Sequence, residues 1–236
     1  MTIHFDIPAE LAWLTAPAPH EELARLRASG ELRRFLPEVD ALYGIPQSPE
    51  HHPEIDTGRH IELTLEAAAM LSSDPKVRYA ALVHDLGKAL TPQGELPQHI
   101  NHEHAGLAPV AEVSDRLGVP NDWKTLALLV CEHHLNVHRA FEMNPRGVIR
   151  LFERLPLVAQ PELLEPFLIA VEADKRGRAG QLHRDYRQGI FLREAFRFLL
   201  ENPIPPYETI DTPAGVAVHR TRLTALAEAR RAVLAA

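Results

Sequence analysis

Apolar residues in this chain recur three and four apart almost throughout, and no run shows the strict alternation of a half-buried strand. That regularity predicts an all-α fold, because side chains at these spacings share one helical face and bury it against other helices. "PHEELARLRASG" opens on Pro19 and stops at Gly30, and "DTGRHIELTLEAAAML" starts from a good N-cap in Asp56 or Thr57. "DPKVRYAALVHDLG" has Asp74 as cap, Pro75 at the first helical position and Gly87 as terminator. In "NHEHAGLAPVAEVSDRLG", bounded by Asn101 and Gly118, Pro109 is expected to kink or divide the helix. Four further segments, "NDWKTLALLVCEHH", "NPRGVIRLFERL", "PELLEPFLIAVEAD" and "RDYRQGIFLREAFRFLLE", repeat the pattern, with Asn121 and Asn144 as caps. The tail from residue 212 reads as one more helix. The expected organisation is a helical lead-in over 1–50, a main domain over 51–200, and a linker (201–213) with a C-terminal helix over 201–236.

Composition narrows the class. Hydrophobic content of 45% and charged content of 24% over 236 residues suit an ordinary globule with a real core. No apolar stretch reaches the length of a membrane span, and the N-terminus lacks the order of a signal peptide. A single cysteine, Cys131, excludes an internal disulfide framework and a Cys-rich zinc module, so a reducing cytoplasm is the expected home. A net charge of −7 argues against a broad basic hold on nucleic acid, although local basic clusters remain open. The odd quantity is histidine, with 14 residues against 8 phenylalanines.

Helical phase says where several of these histidines fall. Val77, Ala80, Ala81 and His84 line one stripe; Ala127, Val130 and His134 line another; Phe167, Ala170 and Asp174 a third. His60 stands in the first turn of its helix, and His102 lies one turn before Ala105 and Gly106. If these helix ends converge, they enclose imidazole nitrogens and carboxylate oxygens without sulfur, a donor set suited to Mn, Fe, Co, Ni, Zn or Mg. A satisfied core histidine is the competing reading for any one of them, and spacing alone leaves both open. Glu103 and Glu132 could orient such histidines or simply face solvent. The loop pair His51–His52 is left unassigned.

At "HDLGK" the ordered set His60, His84–Asp85 and Asp174 resembles the HD superfamily of metal-dependent phosphohydrolases. "FLPEVDALYGIPQSPEHHPEIDTGRH", "VRYAALVHDLGK", "HEHAG", "VPNDWKTLALLVCEHHLNVH" and "EADKRGR" together resemble the C-terminal HD domain of bacterial CCA-adding tRNA nucleotidyltransferases, from about Leu36 to Gln188. The resemblance implies an HD-domain helical bundle. It makes His60, His84, Asp85 and Asp174 ligands of a divalent metal, with His102 and His134 serving a second site and Asp85 able to bridge. It also implies that Lys88, Arg176 and Arg178 bind phosphate, and that Asp85 and Lys88 act in catalysis.

The implied activities are 2′,3′-cyclic phosphodiesterase, 2′-nucleotidase and phosphatase action on a small nucleotide or an RNA 3′ terminus, with tRNA a further partner. No membrane is involved, and a homo-oligomer is open. The alternatives are a non-catalytic module that binds tRNA or a partner protein, and an HD 5′-nucleotidase or alarmone hydrolase. Two departures are visible. No nucleotidyltransferase signature precedes residue 30, so CCA addition by this chain alone is not expected. Leu135 follows His134 where relatives often carry Asp, which predicts one tight metal and a weak second.

Overall fold

The computed structural model describes residues 7–202 and 213–235. Among them there is no strand; the order is α1 (Pro19–Ala28), α2 (Leu32–Phe35), α3 (Pro37–Asp40), α4 (Thr57–Leu71), α5 (Pro75–Val83), α6 (His102–Ala105), α7 (Leu107–Arg116), α8 (Asn121–His138), α9 (Pro145–Arg154), α10 (Leu164–Arg176), α11 (Arg187–Glu201) and α12 (Pro213–Ala235), with short 3-10 turns between. The fold is all-α, as the spacing predicts. No helix of the described residues is long and apolar enough to cross a membrane. The linker expected at 201–213 falls mainly on residues 203–212, outside the described residues.

The cap residues act where the sequence places most of them. Asp56 accepts from the Arg59 amide, Asp74 from that of Lys76 and Asn144 from that of Gly147. Asn121 instead opens α8 as its first helical residue. The helix around Pro109 divides at Gly106, three residues earlier, because proline in the first turn of α7 sacrifices only an amide that has no helical partner there. Gly87 departs from its expected role. α5 ends at Val83, with His84 and Asp85 following, and Gly87 lies inside a 3-10 turn, Leu86–Leu90. A Cβ at Gly87 would strike the His102 carbonyl and stand 2.7 Å from the Gly106 nitrogen. Glycine is needed for this close approach rather than as a stop.

Two compact units divide the chain, residues 1–135 with 165–184, and residues 136–164 with 185–236. In the first, Ala67, Ala68, Ala81 and Ala173 form a small-residue cluster between α4, α5 and α10, which lets those helices approach closely. Gly177, just past α10, extends the contact, since a Cβ there would lie 2.6 Å from Thr64 Cα. Arg78 ties the N-terminal turn to this core by donating to the carbonyls of Leu14 (2.6 Å), Ala16 (2.9 Å) and Ser72 (3.1 Å). In the second unit, Phe141 stacks on Phe191 and Phe152 packs against Phe196, with ring centroids 5.5 and 5.2 Å apart.

Candidate metal centre

The helix packing of the first unit gathers His60 from α4, His84 and Asp85 from the end of α5, His102 from α6, His134 from α8 and Asp174 from α10. All six are buried, none more than 7% exposed. So many polar groups out of water are costly unless each finds a partner.

Their outer nitrogens do find partners. Nδ1 of His84 donates to the Ala81 carbonyl at 2.8 Å, that of His102 to the His99 carbonyl at 2.7 Å, and that of His134 to the Cys131 carbonyl at 2.9 Å. A carbonyl can only accept, so Nδ1 carries the hydrogen and Nε2 presents a lone pair to the interior. His60 Nδ1 stands 3.0 Å from Glu54 Oε1, close but off the hydrogen-bond axis, and the same oxygen accepts from His52 Nδ1 at 2.9 Å. Glu54 Oε2 accepts from the Ala179 amide at 3.1 Å.

Inside the ring of residues, His60 Nε2 meets the Asp174 carboxylate in a hydrogen bond, while the other facing atoms are mostly acceptors. His84 Nε2 is 3.2 Å from Asp85 Oδ2, His60 Nε2 is 3.0 Å from Asp174 Oδ1, and His102 Nε2 is 3.2 Å from His134 Nε2. Asp85 divides its carboxylate between two sets. Oδ2 turns to His84 and His60 (3.7 Å), and Oδ1 to His102 (3.3 Å) and His134 (3.8 Å). Neither Asp85 oxygen nor His84 Nε2 has an aligned hydrogen bond among the described residues. Lone pairs opposed at these separations repel unless a proton or a metal cation lies between them. Two nitrogens each about 2.1 Å from one ion stand roughly 3.0–3.4 Å apart, the separations found here. The residues present therefore fit a divalent metal, and three overlapping groups could hold one: His60–His84–Asp174, His84–Asp85–His134 and His52–Glu54–His60.

The charges distinguish the two histidine sets. Burial opposes ionisation of Asp85, yet His84, Lys88 and His102 outweigh it and hold the carboxyl well below the usual range. Burial likewise opposes a charged His84, and Asp85 with Asp174 overcomes it, raising its pKa. In the other set, burial and the neighbouring His84 lower His134 to about 3, keeping it a neutral base.

The expected phosphate ligands are distributed unevenly. Lys88 is buried, its ammonium 2.6 Å from Asp85 Oδ2 and donating to Gln47 Oε1 at 2.6 Å. Arg178 has a buried Nε without a hydrogen-bond partner, and its charge helps lower His52 to about 4, after the larger effect of burial. Arg176 is not brought to the cluster by its contacts; its guanidinium pairs with Glu172 at 2.6 Å and donates to the Leu182 carbonyl at 3.3 Å. Glu103 and Glu132 stand 3.7 Å from His102 Nδ1 and His133 Nε2, too far to hydrogen-bond them. The carboxylate beside the outer nitrogen of His60 is instead Glu54, next to the unassigned His52, and its sequence signal was the density of histidines around it in "HHPEIDTGRH".

The multifunctional CCA protein of Halorhodospira halophila is 50% identical over 183 residues, covering 78% of this chain and 44% of that protein. That of Acinetobacter baylyi is 44% identical over 209 residues, covering 87% and 50% respectively. The chain thus spans about half the length of the curated relatives it matches. Residues 57–175, which carry all six of the inward-facing histidines and aspartates, match the HD domain, and the chain belongs to that family.

Proposed function

We propose that this chain is a metal-dependent phosphohydrolase that acts on small nucleotides or on RNA 3′ ends, as a 2′,3′-cyclic phosphodiesterase, 2′-nucleotidase or phosphatase. The observation that carries the reading is the shared Asp85 carboxylate, one oxygen facing each histidine set, with outer nitrogens already committed to carbonyls. A divalent metal, of the Mn, Fe, Co, Ni, Zn or Mg kind, would supply Lewis acidity toward a phosphoryl oxygen and make water a better nucleophile near neutral pH. His60, His84, Asp85 and Asp174 would hold it, and His102 and His134 with Asp85 Oδ1 would hold a weaker second ion.

The chain's own groups do the rest. Lys88 keeps Asp85 ionised and has a third N–H for a phosphate oxygen beyond its contacts to Asp85 and Gln47. Arg178, through its unsatisfied Nε, is the second phosphate donor. Glu54 Oε1, 3.0 Å from His60 Nδ1, would favour the tautomer that leaves Nε2 free for the metal. The resemblance to the HD domain of CCA-adding enzymes favours 2′ and cyclic phosphates and makes tRNA a candidate partner.

The test is turnover of 2′,3′-cAMP, 2′-AMP, 3′-AMP and 5′-AMP by metal-replete and chelator-stripped protein, with Asp85→Ala as control. Metal-dependent release of phosphate or ring opening from the 2′ and cyclic substrates, lost in Asp85→Ala, is expected. Turnover of 5′-monophosphates alone would move the chain to the nucleotidase class. Absence of all turnover would leave a non-catalytic binding module.

A further inference from the structure

We infer that the second unit carries an RNA phosphodiester-backbone site of its own, in a pocket of about 400 Å³ between α9 and α12. Helical spacing builds the pocket from both sides. Arg146, Ile149 and Arg150 lie at intervals of three and four on α9, and Val216, Arg220 and Leu223 do so on α12, so each helix turns one mixed face into the groove.

The charge of this groove runs against that of the chain. The net charge of the whole is −7, yet Arg146, Arg150 and Arg220 rim the pocket, and none of the three has an ion pair or side-chain hydrogen bond among the described residues. His219 stands between them on the α12 wall. The one acid in the lining, Glu153, also acts on Arg222, so its charge is shared with a further arginine. α12 carries Arg220, Arg222, Arg230 and Arg231 against Glu228 alone.

The arrangement favours a polymer over a free anion. All three rim arginines are exposed, so no buried polar group closes around a single phosphate. Guanidiniums on two helices can instead meet successive phosphates of one strand, each by a forked, charge-assisted pair of N–H bonds. Ile149, Val216 and Leu223 give the floor an apolar surface for ribose or a base face. Arginines without an ion pair among the described residues, on an acidic chain, fit a partner that brings the negative charge. The groove shares no residue with the metal centre.

The experiment is fluorescence anisotropy of the full chain with a short labelled single-stranded RNA, in chelator so that hydrolysis plays no part. Binding is expected to weaken as salt rises, by roughly 20-fold between about 50 and 200 mM if three phosphate contacts are made. The triple variant Arg146→Ala/Arg150→Ala/Arg220→Ala should lose at least tenfold in affinity, and its salt slope should fall by about 0.7 for each contact removed. The corresponding lysine variant, which keeps the charge, should recover most of the binding. Circular dichroism and metal content, measured on both variants, separate a lost site from a lost fold. Equal affinity and slope in wild type and the alanine variant, or no binding by wild type at low salt, would overturn the inference. So would displacement of the RNA by inorganic phosphate or AMP at matching phosphate concentration, which would assign the pocket to a small anion. Failure of the nucleotide assays above, with this binding intact, would refute only the hydrolase reading.

Discussion

Replacing Glu54 by glutamine tests whether the carboxylate outside the histidine ring matters to what the ring holds. Glu54 Oε1 serves His52 and His60 at once, at 2.9 and 3.0 Å, while Oε2 takes the Ala179 amide at 3.1 Å. Glutamine keeps the shape but has one acceptor oxygen, and its NH2 must face either the Ala179 amide or the two imidazoles. With the oxygen kept on the imidazoles, the interaction with His60 drops from one with a charged acceptor to a neutral one, a loss of about 1–1.5 kcal/mol. Metal affinity measured by competition with a chromophoric chelator should therefore fall about tenfold. That is the lower end of the range for groups that orient a metal-binding histidine, in keeping with an off-axis contact. His60→Ala, measured beside it, should lose far more. Unchanged affinity in Glu54→Gln, with His60→Ala deficient and both proteins folded, would refute the orienting role.

Other expectations follow from the same contacts. Arg78→Met removes the donor to three carbonyls, two of them on the N-terminal turn, and should cost about 3 kcal/mol in urea unfolding; a loss under about 1 kcal/mol would show that those carbonyls find other partners. Because Leu135 offers no oxygen, His134→Ala should impair metal retention and turnover less than His84→Ala does; two equally tight ions per chain, both lost in His134→Ala, would contradict this. Burial pushes the Tyr79 phenol up to about 12, and burial with Glu62 pushes Tyr43 upward too. An unfolded tyrosine ionises near about 10, so the folded state holds its protons longer, and stability from these groups is full below about pH 10 and lost as pH rises through about 12. An absorbance titration should find at least two of the four tyrosines silent until alkaline unfolding; four phenols titrating together near pH 10 would refute it.

The parts of the centre legible in the sequence were those governed by helical period. His84, His134 and Asp174 each end an apolar stripe, so burying the stripe carries them inward. Where position depends on a loop, period says nothing. Glu54 and His52 lie between α3 and α4, and only tertiary packing turns them toward His60. Gly87 illustrates a different limit. A glycine after a helix reads as a stop, whereas here its missing side chain admits the His102 carbonyl. Arg176 shows the phase at work in the other direction, since residues two apart on a helix point to nearly opposite sides and Asp174 facing inward leaves Arg176 beside Glu172 and Leu182.

The pairing of His60 with Asp174 joins positions 114 residues apart. A ribosome that has released the chain as far as His134 has exposed most of the imidazoles but not the carboxylate that completes their arrangement. Capture of a metal by the full set would therefore be a late event in the life of the nascent protein, gated by arrival of α10 against α4. Ions met early would find an unfinished, weaker set of donors, and selection of the final ion would fall to the assembled cage.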